Sequence, residues 1–167
     1  MISQKGIALG IATAGGAGYS PIAPGTAGTA VAVPLVWLMT TLPLWAFAAI
    51  TVATTVIGIW AAGKADNHWG THDSGRIVID EVAGYFVTMI PVSRSSWEAL
   101  LVGFLIFRAL DIIKPPPIRA IDRHVGGGAG VVLDDIAAGV MGAALMAAAA
   151  AAGWLDFTPF NGQPLGL

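Results

Sequence analysis

Hydrophobic positions fall in long blocks with no period-two alternation, so the pattern predicts helices and no strands. Two blocks, 30–39 and 44–62, are separated by Thr40-Thr41-Leu42-Pro43 and predict a helical hairpin. The second is close to the ~20 residues needed to cross a hydrocarbon core. The first reaches that length only if it starts at Thr26 and carries Pro34 as a kink. A third block, 77–92, is apolar apart from Asp80-Glu81. A fourth, 97–113, is interrupted by Glu98, Arg108 and Asp111 and stops at Lys114-Pro115-Pro116-Pro117, which cannot continue a helix. The last, 136–155, repeats small residues at i+4 (Ala138/Gly142, Ala144/Ala148/Ala152), the spacing that lets membrane helices approach closely. Between the blocks, 14–29 reads as an irregular small-residue loop, and 64–75 and 118–130 as polar loops. The expected fold is all-α: one domain over 1–167, a polytopic membrane bundle of four to five apolar helices whose polar loops carry the site. Residues 1–29 lack the apolar core and cleavage site of a signal peptide. The tail, 156–167, carries no motif and no basic charge.

Composition sharpens the membrane reading. Hydrophobic residues make up 56% and charged residues 11%, against ~25% charged in an ordinary soluble domain. That excludes a disordered chain, a coiled coil and a soluble α/β enzyme of average composition. A net charge of −2 offers no basic face, so no nucleic-acid partner is expected. The absence of cysteine removes disulfides, thiolate metal sites and a Cys nucleophile. No charge lies between Lys5 and Lys64, whereas 64–135 holds 16 of the 18 charged residues. Two hairpins would put Lys5, the 64–76 loop and the 114–123 loop on one side, the cytoplasmic one by the positive-inside rule. The turn at Thr41 and the C-terminal tail then face outward. Arg94, in the 92–96 turn, is an exception. Trp37, Trp45 and Trp60 suit the membrane interfaces.

Acid placement carries the chemistry. Asp80-Glu81 and Asp134-Asp135 are each embedded in apolar residues and followed by a glycine, Gly84 and Gly139. Asp111 shares a helix face with Arg108 and Lys114, three residues away on either side. Carboxylates in apolar surroundings need partners or a cation, and oxygen-only ligands select Mg²⁺, Mn²⁺ or Ca²⁺. The blander reading makes Asp80 and Asp134 helix N-caps. The segment Ser20–Thr29, ahead of an apolar helix, offers backbone N–H groups and hydroxyls to an anion. It has no Lys and is not a Walker loop. His68 and His72 are spaced i, i+4 but lack the Glu of a zinc HExxH motif. Arg119 and Arg123, one turn apart, suit a phosphate or lipid head group.

Four segments in order resemble the phosphatidylglycerophosphatase A family: Ser20-Pro21-Ile22-Ala23-Pro24-Gly25-Thr26 with Gly28-Thr29, Ile77-Val78-Ile79-Asp80-Glu81 with Gly84, Phe107-Arg108 with Asp111, Lys114-Pro115 and Pro117-Ile118-Arg119, and Asp134-Asp135 with Ala138-Gly139. The resemblance spans about 18–139. It implies a Mg²⁺-dependent, multi-pass lipid phosphatase of the bacterial inner membrane that converts phosphatidylglycerol phosphate to phosphatidylglycerol, with its site on the cytoplasmic side. On that reading Asp80, Glu81, Asp134 and Asp135 hold the metal. Arg108 and Lys114 neutralise charge, and Asp111 is base, nucleophile or ligand. Ser20, Gly25, Thr26, Thr29 and Arg119 meet the substrate phosphate. The rival classes are a small membrane transporter, whose ion pathway also uses intramembrane carboxylates, and a lipid-binding subunit without turnover. Inverted repeats, expected of many transporters, are absent from the sequence.

Overall fold

The computed structural model describes residues 4–71 and 73–154. His72, half of the histidine pair, and the tail from residue 155 lie outside the described residues. Within them the chain is all-helical, without strands: α1 (Gln4–Ala12), a 3-10 turn (Ala14–Tyr19), α2 (Pro24–Leu38), α3 (Leu44–Trp69), α4 (Ile79–Thr88), α5 (Trp97–Ile113), α6 (Pro116–His124) and α7 (Gly127–Ala151).

The turn between α2 and α3 and the boundaries of α5 follow the sequence pattern, but α2 and α3 each pack on α4 and not on each other, so the expected hairpin is split by α4. Four segments differ. Helix α3 runs on to Trp69, past its expected end at 62, so the first part of the expected 64–75 loop is helical. The other three differ for local reasons. Residues 4–12 form a helix, which the pattern did not predict, because Ala8 and Ala12 bury a flat face toward α3. The segment from residue 24, read as loop, is the start of α2. Pro24 takes a first helical position, where its missing N–H is no loss, behind Ala23 in the left-handed region. The loop 118–130 is α6 plus the opening of α7. Pro116 and Pro117 start α6 instead of only ending α5. Helix α7 begins nine residues earlier than expected, because Gly128 packs directly on α3: a Cβ there would sit 2.3 Å from the Ile59 carbonyl oxygen.

Two helices, α3 with 26 residues and α7 with 25, are long and apolar enough to cross a membrane. At 1.5 Å per residue the ten-residue α4 is about 15 Å long, half of what a crossing needs. The expected four to five apolar helices are present as α2, α3, α4, α5 and α7, and α4 among them is an interior helix. Eight of its ten residues are buried, and it packs against α2, α3, α5 and above all α7.

The α4–α7 contact fixes the geometry of the interior. A Cβ on Gly139 would lie 2.4 Å from the Gly84 carbonyl oxygen, and one on Gly84 would lie 2.6 Å from that of Asp135. The helices therefore touch backbone to backbone. One turn below, Thr88 donates its hydroxyl to the Gly84 carbonyl and a Cβ on Gly142 would meet it at 2.9 Å. The Tyr85 hydroxyl donates to the Leu100 carbonyl at 2.8 Å and ties α4 to α5. The outer surface is apolar: Trp45, Val52 and Val56 on α3, Leu105 and Ile112 on α5, and Val140 on α7 are each more than half exposed. Arg94, the charge on the wrong side, is buried. Its Nη2 donates to the Leu42 carbonyl at 2.7 Å and its guanidinium lies 4.2 Å from the Phe47 ring centroid. It joins the turn after α4 to the turn after α2.

Candidate active site

The Gly84–Gly139 crossing decides where the acids go. Asp80 lies four residues before Gly84 and Asp135 four before Gly139, so each carboxylate sits one turn from the contact, on the same side of its helix. They meet there. Carboxylate oxygens of Asp80, Glu81 and Asp135 lie within 4.8 Å of one another. Both acidic pairs are inside helices, Asp80-Glu81 in the first turn of α4 and Asp134-Asp135 in the third turn of α7, and neither Asp80 nor Asp134 is an N-cap.

A cavity of about 270 Å³ opens on this cluster. It is lined by six acids, Asp73, Asp80, Glu81, Asp111, Asp134 and Asp135, and by two cations, Arg108 and Lys114. Fully ionised, the lining would carry four more negative than positive charges. Burial pushes the Asp80 carboxyl well above the usual carboxylate range, and the Glu81 and Asp135 charges push it further. Burial also raises Glu81, with Asp111 adding to the effect and Arg108 opposing it. Glu81 Oε2 and Asp135 Oδ2 are buried without a hydrogen-bond donor. Buried orphan oxygens, all from hard carboxylates, fit a Mg²⁺-type ion.

The cations are committed on one side and open on the other. Arg108 Nη1 donates to Asp111 Oδ2 within α5 and lies 3.7 Å from Glu81 Oε1. Arg108 Nε is a buried donor with no acceptor. Lys114 pairs with Asp134 at 2.6 Å, so Asp111 is held by Arg108. Lys114 reaches Asp134 because it caps α5 in the left-handed region, φ 45°, which turns the chain back toward α7. Asp134 stands beside the three-carboxylate cluster, tied to this lysine.

Of the residues named from the sequence, Gly25, Asp80, Glu81, Arg108, Asp111, Lys114, Asp134 and Asp135 line one cavity. Gly25 is there for space: a Cβ would sit 2.1 Å from Glu81 Oε1 and 3.1 Å from Arg108 Nη1. Ala23, Pro24 and Gly25 bring the N-terminus of α2 to the cavity wall, where first-turn N–H groups have no intrahelical acceptor. Thr26 is half-buried beside it. Thr29 is fully buried and donates to the Gly25 carbonyl at 3.0 Å, so its hydroxyl serves the helix. Ser20 donates to the Ile22 carbonyl within the preceding turn. Arg119 is exposed on α6, with Nη2 3.4 Å from the Ile113 carbonyl oxygen. None of Thr26, Thr29, Ser20 and Arg119 lines the cavity.

One lining acid escaped the sequence reading. Asp73 follows α3 in the polar loop, which buried Asp66 holds: its carboxylate accepts from the backbone N–H groups of Asp73 and Ser74 at 3.1 and 3.2 Å. The signal available was a buried-type acid in the last turns of a long apolar helix, seven residues ahead of a second acid. His68 lies away from the cavity, near Lys5 and Lys64.

The family model for phosphatidylglycerophosphatase A matches residues 10–150, a stretch that contains every lining residue. The chain belongs to the phosphatidylglycerophosphatase A family. It is 41% identical over 131 residues to phosphatidylglycerophosphatase A of Escherichia coli K12, covering 78% of this chain and 76% of that protein. A Bacteroides thetaiotaomicron protein, provisionally named a phosphatidylinositol-3-phosphatase, is 39% identical over 148 residues (83% and 91%). Phosphatidylglycerophosphatase A of Haemophilus influenzae Rd is 35% identical over 126 residues (75% and 77%). No solved structure matches the chain. As a member of this family the chain is a phosphatase acting on a phosphate monoester. The matched stretch thus includes both the carboxylates of the cavity and, on its wall, the α2 N-terminus and Arg108.

Proposed function

We propose that the chain hydrolyses phosphatidylglycerol phosphate to phosphatidylglycerol and phosphate, dependent on Mg²⁺, at the cytoplasmic face of the bacterial inner membrane. The observation that carries this reading is the cluster of Asp80, Glu81 and Asp135, with two buried orphan oxygens, facing the N-terminus of α2 across one cavity. Those three residues would hold the cation, with Asp134 beside them. A Mg²⁺ ion held by them would supply charge neutralisation and Lewis acidity.

The chain's own groups divide the rest. Monoester hydrolysis demands accelerations of up to ~10²¹-fold, obtained mostly by positioning and charge stabilisation. First-turn N–H groups of α2 bind the phosphate oxygens, aided by the helix dipole. Arg108 presents its Nε to the same anion while Nη1 orients Asp111. Asp111 is thereby placed to act on water as base or on phosphorus as nucleophile. Lys114 neutralises Asp134 and so lowers the repulsion that an incoming phosphate meets.

The membrane setting is supported by α3 and α7 and by the exposed apolar residues around the bundle. A substrate with two acyl chains explains an enzyme that keeps its site in such a bundle. The test is phosphate release by the purified chain in detergent, on phosphatidylglycerol phosphate, phosphatidylinositol 3-phosphate and glycerol 3-phosphate, with Mg²⁺ titrated. The expected result is turnover of phosphatidylglycerol phosphate in preference to the others, abolished by EDTA and by Asp135→Asn. Turnover unchanged by both would refute the cation site, and preference for the inositol lipid would refute the substrate.

A further inference from the structure

A second cavity lies on the other side of the first turn of α4. It is an open groove of about 570 Å³ between α1, α2 and α4, lined almost wholly by carbon. Its α4 wall is Ile79 and Val82, whose chain neighbours Asp80 and Glu81 line the carboxylate cavity. Consecutive helical residues point about 100° apart, so one turn of α4 presents acid to one cavity and aliphatic surface to the other. Its α2 wall is Val31 and Leu35. These lie six and ten residues beyond Gly25, about 9 and 15 Å along the axis from the site. Its α1 wall includes Gly10, where a Cβ would meet nothing within 4 Å. This glycine is therefore demanded neither by helix packing nor by a positive φ, and a side chain placed there would project into open space at the groove.

We propose that this groove seats an acyl chain of the phospholipid whose phosphate ester enters the carboxylate cavity. The proposal rests on the function proposed above. Its occupant follows from placement: an apolar trough that shares a helical turn with a phosphate-type site, displaced from it along α2 by the length of a glycerol-phosphate-glycerol head group. The groove makes the acyl chain a specificity determinant, so that the enzyme reads its substrate at two points.

The experiment compares two phosphatidylglycerol phosphates with identical head groups, one with oleoyl and one with butyryl chains, on the purified chain in detergent. Gly10→Phe puts a ring into open groove volume. The ratio of kcat/KM for the long-chain over the short-chain substrate should fall at least tenfold, mainly through KM. Val31→Trp, from the opposite wall, should lower the same ratio. A diazirine-bearing acyl chain on phosphatidylglycerol should crosslink to residues 6–15 or 31–35, and Gly10→Phe should suppress that crosslink. A ratio unchanged in both variants, with both folded by their thermal transitions, would overturn the groove as an acyl site. So would crosslinks confined to α3 or α5. Failure of the wild-type chain to hydrolyse either lipid is a separate result, which refutes the proposed function itself.

Discussion

Replacing Gly25 by alanine tests the site with a single methyl group. The added Cβ would lie 2.1 Å from Glu81 Oε1, against the 3.4 Å at which ordinary contact begins. The Glu81 carboxylate must therefore retreat by about 1.3 Å, and the Arg108 guanidinium, 3.1 Å from the new methyl, must shift with it. Displacements near 1 Å at a catalytic centre cost on the order of 10²-fold in rate. Stability should respond differently. The clash is with the end of a side chain, and alanine is favoured over glycine in a helix by up to ~1 kcal/mol. Gly25→Ala should thus keep its thermal transition, while Mg²⁺-dependent phosphate release falls about 100-fold. The assay pairs steady-state kinetics at saturating Mg²⁺ with thermal unfolding in the same detergent. A kcat/KM within threefold of wild type would refute the argument that Gly25 holds space for Glu81. A large fall in Tm would show instead that the contact is structural.

Three further outcomes are expected. Gly139→Val puts two methyls where a single Cβ is already 2.4 Å from the Gly84 carbonyl oxygen; overpacking of this kind costs about 1–3 kcal/mol or more, read as a lower Tm, and a wild-type Tm would show that α4 and α7 separate freely. Lys114→Met removes the ammonium paired with buried Asp134, a loss toward the low end of ~3–5 kcal/mol because the lysine is 27% exposed, and adding Asp134→Asn should recover most of the Tm; no recovery would mean that the pair is not coupled. The last concerns pH: Asp80 and Glu81 have ordinary values of 3.8 and 4.5, and burial raises both in the folded protein. The folded state then holds protons that the unfolded chain has released, so this contribution is complete below about pH 4 and is lost as pH rises through the raised values. In EDTA the Tm should fall between pH 5 and 8, and Mg²⁺ should raise it more at pH 8 than at pH 5; an equal Mg²⁺ effect at both would refute the linkage.

Much of the interior was legible because a few residues carry it. Asp80 and Asp135 stand out as acids in apolar runs, and the glycine four residues after each is the contact that brings them together. Arg108, Asp111 and Lys114 stood out through their i, i+3 spacing, though which acid each cation takes depends on the reversal at Lys114, a left-handed non-glycine residue that no pattern announces. The glycine- and proline-rich segments misled for one physical reason. Local propensity reads Pro24-Gly25 and Gly126-Gly127-Gly128 as breakers, whereas tertiary packing uses proline for a first helical position and glycine for a helix that lies against another backbone. Hydropathy likewise could not separate an interior helix from a spanning one: α4 is as apolar as a span in sequence, and only its ten-residue length marks the difference. Asp73 was hidden because its place in the cavity depends on Asp66, which looks like an ordinary charge near a helix end.

Because α4 and α7 meet through Gly84 and Gly139 with no side chain between them, the spacing of the backbones that carry the two acidic pairs is set by main-chain contact. The crossing works as a gauge block. A substitution within it is passed on undamped to the carboxylates one turn away, while the outward faces, Val140 and Leu145 on α7 among them, can change size or branching without moving the acids. Such a protein can be refitted to a thicker, thinner or more fluid surrounding by altering its outer residues alone, and keep the same chemistry at its centre.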